Sequence, residues 1–240
     1  GLRAFLFELS AIAGDGDRAA KALELLGRLR PDSLDMTTDY AAALAGQLLA
    51  DVTDRPFGEY VSANVFGPLG MTNSTFRPAP PGLVPAEDVS VEEVVSFYSD
   101  VAPASGLHTT GADMARLLRA HLNGGVVDGE RILSTSAVDE MHRQWYTPHE
   151  EIDGMAFGLV EDTGREARVL HHNGATQSFH SNLVLVPEAG FGLFVAFNSA
   201  NAAAAREAVP RDILDELFPR VESDVPEPDG QPTRADELAG

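Results

Sequence analysis

VLHHNGATQSFHSNLVLVPEAGFGLFVAF, residues 169–197, predicts two strands joined by a tight turn. The first strand is an apolar run over 183–186, and Pro187 to Gly190 has the composition of a turn. In residues 191–197 the side chains of Phe191, Leu193, Val195 and Phe197 form one apolar face. The other face, formed by Gly192, Phe194 and Ala196, is nearly as apolar. A strand pair that is apolar on both faces must be covered by helices. We therefore expect an antiparallel sheet flanked by helices.

A polar segment, His172-Asn173-Gly174-Ala175, lies just upstream of these strands. We expect the imidazole of His172 where a strand begins, beside a glycine that lets a ligand approach the backbone closely. This arrangement is typical of the edge of an active site. The alternative is a polar strand residue with only local hydrogen bonds.

The rest of the chain is mainly helical before residue 150. Apolar spacing and cap residues predict helices near 2–12, 19–29, 39–52, 56–66, 91–98, 110–122, 136–142 and 202–217. Strands are predicted over 155–160 and 167–172. Thr110 with Asp113 three residues later predicts a helix cap, and Gly67-Pro68 predicts a helix end. The fold class is therefore α+β.

Composition excludes several kinds of partner. The net charge of −20 repels nucleic acid and anionic membranes, so neither is expected as a partner. No apolar run approaches the roughly 18 residues that span a bilayer. The absence of Cys excludes disulfides and thiolate chemistry. The chain opens with Gly1-Leu2-Arg3 and not with Met or a basic leader, so we expect residues to precede it.

Several segments together resemble the serine β-lactamase and penicillin-binding protein family, especially its class C-like, esterase and D-peptidase branch. They are 44–46 (LAG), 68–76 (PLGMTNSTF), 105–116 (SGLHTTGADMAR), 172–174 (HNG) and 198–199 (NS). The patterns over 66–71 and 106–116 are structural marks of that family. The resemblance covers residues 1–220 and implies a β-lactamase-like fold, with an active site between a helical lobe and a sheet lobe.

This resemblance sets the expected organisation of the chain. Residues 1–150 would form mainly the helical lobe, and residues 151–220 the sheet and the C-terminal helix. Residues 221–240 are acidic and Pro-rich, which is typical of a tail or linker. A small-molecule or peptide substrate would bind in the groove between the lobes, without a cofactor. The resemblance also implies an extracytoplasmic location.

The chemistry of the family needs three elements, and the third is present here. It is a strand motif, His-x-Gly or Lys-Thr-Gly, whose following backbone N–H forms half of an oxyanion hole. By resemblance it falls on His172 and Gly174, with Ala175 supplying the N–H. The first element, Ser-x-x-Lys, does not occur: the single lysine, Lys21, follows Arg18 by three residues. Gly1-Leu2 resembles the end of the family segment that follows this element.

The second element, Tyr-Ser-Asn, falls on Thr37-Thr38-Asp39 when counted back from residues 44–46. Thr37 has no acidic phenol to act as a base. Tyr40 reaches the Tyr position only after a three-residue slip, which places Ala42 at the Asn position. Asp39 also has a simpler interpretation as a helix N-cap.

Three histidines raise the possibility of a metal site, which we do not expect. His171 and His172 are neighbours on a predicted strand, so their side chains point to opposite faces. His180 is the third, and no carboxylate spacing completes a ligand set.

Two functions from different classes remain open. The first is a serine hydrolase that transfers the acyl group of an ester, amide or β-lactam, in a full-length parent that carries the nucleophile. The second is a non-catalytic binding or sensing derivative, consistent with Thr37 at the Tyr position.

The missing Ser-x-x-Lys pair predicts that this 240-residue chain forms no covalent serine adduct. Incubation with a fluorescent penicillin or a fluorophosphonate should leave its intact mass unchanged. A stoichiometric adduct on any serine would contradict this expectation.

Overall fold

The computed structural model describes residues 39–77, 102–149, 152–176 and 178–221. The predicted helices at 2–12, 19–29 and 91–98 and the tail at 222–240 lie outside these residues. The described helices are α1 (Asp39–Thr53), α2 (Phe57–Val61), α3 (Gly67–Leu69), α4 (Ala102–Ser105), α5 (Gly111–Leu122), α6 (Thr135–His142) and α7 (Ala203–Leu217). Ser62–Phe66 is a π-helical segment between α2 and α3. No described helix is long and apolar enough to cross a membrane.

The described strands form a hairpin and a four-stranded sheet. They are β1 (Val126–Val127), β2 (Glu130–Arg131), β3 (Val160–Asp162), β4 (Val169–Ala175), β5 (His180–Val186) and β6 (Phe191–Phe197). The sheet has the order β3-β4-β5-β6 and is antiparallel throughout. Residues 169–197 therefore provide three of its four strands, and the predicted α+β class is confirmed.

The predicted extents of two strands are wrong. The strand expected over 155–160 is limited to Val160–Asp162, because the chain turns just before it: the Ala156 amide donates to the Leu159 carbonyl at 2.8 Å, and Gly158 has a φ of 67°. The strand expected over 167–172 starts at Val169 and continues to Ala175. Its polar end pairs with β5 as regularly as its apolar start does.

Helices cover both faces of the sheet, as its apolar faces predict. On one face a Cβ at Gly192 would lie 3.3 Å from side-chain atoms of Leu118 and Leu122, so glycine lets α5 pack closely. On the other face Leu214 of α7 packs with Val184 and other buried valines of β4 and β5. Burial of these side chains on both sides is the main stabilising contribution to this part of the fold.

The start of α5 was predicted correctly from its residues, and the helix end before α3 was not. Thr110 caps α5, since its Oγ1 accepts a hydrogen bond from the Asp113 amide at 3.3 Å, as predicted. The helix end predicted at Gly67-Pro68 is wrong: Pro68 is accommodated in the first turn of α3. The helix stops at Gly70, whose φ of 66° allows the Met71 amide to reach the Phe66 carbonyl at 2.8 Å.

Asp113 joins the two motifs at 68–76 and 105–116. Its buried carboxylate accepts from the Asn73 amide and from the Ser74 hydroxyl, both at 2.8 Å. Arg116, one turn later, donates to the Leu69 carbonyl at 2.9 Å. These contacts fix the loop after α3 against the start of α5, which explains why both segments mark the fold.

We predict that Asp113→Ala destabilises the protein by about 2–3 kcal/mol, because it removes the buried carboxylate that accepts hydrogen bonds from the Asn73 amide and the Ser74 hydroxyl. Urea unfolding monitored by circular dichroism measures this change. Asp139→Ala, at an exposed position of α6, is the matched control and should stay within about 0.5 kcal/mol of wild type. Equal effects of the two substitutions would contradict a structural role for the Asp113 carboxylate.

His121 of α5 and His142 of α6 form a stacked pair. Their ring nitrogens Nδ1 and Nε2 lie 3.1 Å apart, and the ring planes are inclined by 18°. Burial, and then the charge of His142, lowers the pKa of His121 to about 4. Burial likewise lowers the pKa of His142, and Arg168 contributes to that shift. A proton on either ring therefore opposes folding.

We predict that this pair makes stability fall in mild acid. The pKa of His121 is 6.5 when unperturbed and about 4 in the folded protein, so the unfolded chain binds more protons between these values. Its contribution is fully present above the unfolded value and is lost as the pH falls towards the folded one, by up to about 3 kcal/mol. Urea midpoints at about pH 7.5 and about pH 5 measure this loss. His121→Gln should reduce the difference, and an unchanged difference in this variant would contradict the prediction.

Candidate active site

The site predicted on the sheet lies at the end of β4. His172 is in the middle of this strand, and Gly174 and Ala175 end it. The expectation that His172 begins a strand is therefore wrong. The reason is that the strand starts with two buried residues: Val169 pairs with Asp162 of β3, and Leu170 pairs with Glu161 of β3 and Leu185 of β5.

The strand places His171 and His172 on opposite faces of the sheet. His172 shares the α5 face with Leu170 and lies opposite Leu183, and its side chain is exposed. His171 lies on the α7 face opposite Val184 and is half-buried. Of these two imidazoles, His172 is the one that a ligand at the α5 face would meet.

The surrounding protein disfavours the charged form of both imidazoles. Desolvation by the surrounding protein lowers the pKa of His172, and the neighbouring His171 lowers it further. Desolvation also lowers the pKa of His171, against the opposing effect of the acidic groups Asp162, Glu207 and Asp153. A neutral imidazole has one N–H to donate and one nitrogen to accept. His172 can therefore donate a hydrogen bond or accept one, without carrying a charge.

The backbone of Ala175 points to an open edge of the sheet. The Thr176 amide donates to the Phe179 carbonyl at 2.8 Å, so Thr176 bonds towards β5. Because alternate residues of an antiparallel strand bond to opposite sides, Ala175 directs its N–H away from β5. On that side β3 pairs with β4 only as far as Val160, which lies opposite His171. No described strand pairs with residues 173–175. Among the described residues, no strand therefore covers this amide.

The Thr176 side chain stabilises the turn that follows Ala175. Thr176 Oγ1 accepts from the Phe179 amide at 2.9 Å and from the Ser178 amide at 3.3 Å. Gly174 also suits the close approach of β5, since a Cβ there would lie 2.5 Å from the Ser181 hydroxyl. The strand end is therefore fixed before any ligand arrives.

Sequence reasoning missed two residues that contact this strand end from α7. Arg206 Nη1 donates to the Gly174 carbonyl at 3.3 Å, and Glu207 Oε1 accepts from Asn173 Nδ2 at 3.0 Å. Both residues lie more than thirty positions after Gly174. The only sequence signal was their place on the predicted helix 202–217, which says nothing about which strand they contact.

His180 lies on the α7 face of β5, opposite Ala175. Its imidazole is buried, and neither ring nitrogen has a hydrogen-bond partner among the described residues. In this part of the chain no three His, Cys, Asp or Glu side chains are grouped so as to hold a metal ion.

The side chains of the second catalytic element lie outside the part of the chain that the structure describes. Thr37 lies outside the described residues. Asp39 and Tyr40 are the first two residues of α1, and their side chains lie outside the described part. Helix α1 packs mainly against α4 and α2. Their assignment to the site stays a prediction, as does the N-cap interpretation of Asp39.

The described residues thus form helices beside an antiparallel sheet that is itself covered by helices on both faces. The family model described as Beta-lactamase matches residues 1–218. The chain belongs to the Beta-lactamase family.

Known proteins agree with this membership. Beta-lactamase-like protein 4 of Dictyostelium discoideum is 26% identical over 210 residues, covering 79% of this chain and 36% of the relative. The octameric penicillin-binding protein homologue from Pyrococcus abyssi superposes with a TM-score of 0.59 at 20% identity, over 73% of this chain and 42% of that structure. A D-stereospecific amidohydrolase from Streptomyces sp. gives a TM-score of 0.58 at 22% identity, over 75% and 54%.

The coverage of the relatives is partial. The chain spans about a third of the length of the curated relatives that it matches. It spans about half of the two solved structures. The comparisons show the family and the fold, and the activity is a separate question.

Proposed function

We propose that this chain forms the sheet side of the active site of a serine hydrolase, in which an acyl group passes from an amide or ester to a serine and then to water. The serine would come from a Ser-x-x-Lys segment, which is not among these 240 residues. The substrate would lie between the helical part and β4, on the α5 face.

The observation that carries the proposal is the direction of the Ala175 amide. Attack of a serine on a carbonyl places negative charge on the carbonyl oxygen, and a fixed backbone N–H stabilises that charge. The Ala175 N–H points to the open side of the sheet, and the Thr176 turn fixes it there. Such a donor needs no reorganisation when the charge develops.

His172 has a complementary role in this proposal. Its exposed, neutral imidazole lies on the same strand, three residues before the Ala175 amide. It would donate a hydrogen bond to the substrate or to the charge that develops during attack. His171, on the α7 face, would have no direct role.

An amide is the substrate class that the comparisons favour. The names of two relatives, the Streptomyces D-stereospecific amidohydrolase and a putative D-alanyl-D-alanine carboxypeptidase of Escherichia coli O157:H7, describe hydrolysis of amide bonds. A β-lactam is a cyclic amide and belongs to the same class. An ester remains compatible with the same site, since its carbonyl passes through the same kind of oxyanion.

We predict that His172→Ala, in full-length protein that carries the serine, lowers turnover roughly 100- to 1,000-fold, the effect of losing one oxyanion-type donor. His171→Ala, one residue away on the opposite face, is the matched control and should change turnover little. His172→Gln keeps an N–H donor and should retain more turnover than His172→Ala. Steady-state kinetics on a D-amino acid amide and on a chromogenic β-lactam measure these effects, with circular dichroism to verify folding.

Other outcomes have distinct meanings. A loss confined to His171→Ala would mean that the two histidines have exchanged roles. Small, equal effects of both would favour the binding-module alternative. That alternative has one observation in its favour, which is Thr37 in place of the tyrosine expected at the second catalytic element. Saturable binding of the same amides without turnover would support it.

A further inference from the structure

Arg206 contacts the peptide unit that contains the Ala175 amide. Its Nη1 donates to the Gly174 carbonyl at 3.3 Å, and this carbonyl belongs to the same peptide group as the Ala175 N–H. The guanidinium is largely buried, with 17% of the side chain exposed. A cation in this position is therefore only weakly screened by water.

Glu207 holds the guanidinium in place. Its Oε1 accepts from Arg206 Nη2 at 2.6 Å and from Arg206 Nε at 2.9 Å. The same oxygen accepts from Asn173 Nδ2 at 3.0 Å, and Asn182 Nδ2 donates to the Arg206 carbonyl at 3.4 Å. The start of α7 is thus tied to β4 at Asn173 and Gly174 and to β5 at Asn182. Apart from the Arg206–Glu207 ion pair within α7, these contacts join α7 to the end of the β4–β5 hairpin.

The two ends of a peptide group respond to each other. A trans peptide directs its C=O and N–H to opposite sides, so the Gly174 carbonyl points towards β5 while the Ala175 N–H points to the open edge. A charged donor on the carbonyl oxygen draws electron density from the nitrogen and makes the N–H a stronger donor. Hydrogen bonds in chains strengthen one another in this way, by roughly 10–30% per bond.

We propose that Arg206 is a positioning residue for the oxyanion hole, which both orients the Gly174–Ala175 peptide and polarises it from the face opposite the substrate. This inference rests on the proposed function, because it requires that the Ala175 N–H meets the oxyanion. Arg206 itself touches neither the substrate nor the serine. It acts through the peptide bond.

The first experiment needs no activity and uses the 240-residue chain. Proton–nitrogen NMR spectra of the wild type, Arg206→Ala and Arg206→Lys report the chemical shift of the Ala175 amide. Arg206→Ala should move this resonance upfield, since the amide is less polarised, and Arg206→Lys, which keeps a cation, should restore part of the shift. Arg211→Ala is the matched control, because Arg211 lies on the same helix, is exposed and pairs with Asp212.

An Ala175 resonance that moves no further in Arg206→Ala than in Arg211→Ala would overturn the inference. If Arg206→Ala does not fold, the comparison of Arg206→Lys with the wild type decides, together with Glu207→Gln, which removes the carboxylate that holds the guanidinium. Unchanged Ala175 resonances in both of these variants would also overturn it.

The second experiment measures kinetics in full-length protein that carries the serine. Arg206→Ala should lower kcat roughly two- to eightfold with KM little changed, because 10–30% of the effect of one oxyanion donor is lost. Such a contact acts on the transition state and not on the bound substrate. A role only in folding would lower the active fraction, and would leave the kcat of the folded enzyme unchanged once active sites are titrated; that result would overturn the inference.

The two experiments separate the two proposals. An enzyme with no acyl-transfer activity in any variant would remove the proposed function, and the NMR shift would still test the contact between Arg206 and the peptide. An active enzyme whose kcat and Ala175 shift are both unaffected by Arg206→Ala would leave the proposed function intact and remove this inference alone.

Discussion

The constraint on which the structure depends is that β4, β5 and β6 are apolar on both faces. Leu170 and Leu185 on one face and Val169 and Val184 on the other are all buried, so α5 and α7 must each occupy a face. Where α5 and α7 cover the sheet, buried apolar contacts leave no room for a substrate. A substrate is therefore confined to the strand ends and edges. Polar residues gather at such a place, where β3 has already ended and β4 continues to Ala175.

The strand end is held by hydrogen bonds from the turn that follows it and from α7. The Thr176 turn closes the hairpin, and the Arg206–Glu207 pair of α7 fastens the Gly174 carbonyl and the Asn173 side chain. The helix that covers the α7 face therefore also fixes the backbone that is exposed beyond it. A donor fixed in advance stabilises developing charge without a reorganisation cost, whereas a mobile loop must first be ordered. The contacts of Arg206 and Glu207 with β4 therefore both pack α7 on the sheet and hold the peptide group proposed to bind the oxyanion.

Local signals in the sequence predicted the elements, and tertiary contacts decided their limits. The apolar period over residues 183–197 gave the hairpin and the need for helices on both faces, and Thr110 with Asp113 gave the start of α5. The period could not give the end of β4, because the polar residues 172–175 carry no apolar alternation and are held by pairing with β5. Nor could any pattern connect Arg206 to Gly174, since the contact depends on how α7 packs on the sheet.

The motifs that mark the family and the residues that would carry its chemistry are different residues. Asp113 and Arg116 hold the loop after α3 against α5, which is a structural task that any member of the fold must solve, whatever it hydrolyses or binds. Family membership therefore identifies the fold, and under the proposed function the reaction would depend on His172, the Ala175 amide and the residue at the Tyr position. Thr37 at that position lacks an acidic phenol. If the protein is an acyl-transfer enzyme, the proton of the serine must go to another base, and the amine of a Ser-x-x-Lys segment is the group with the right chemistry to accept it.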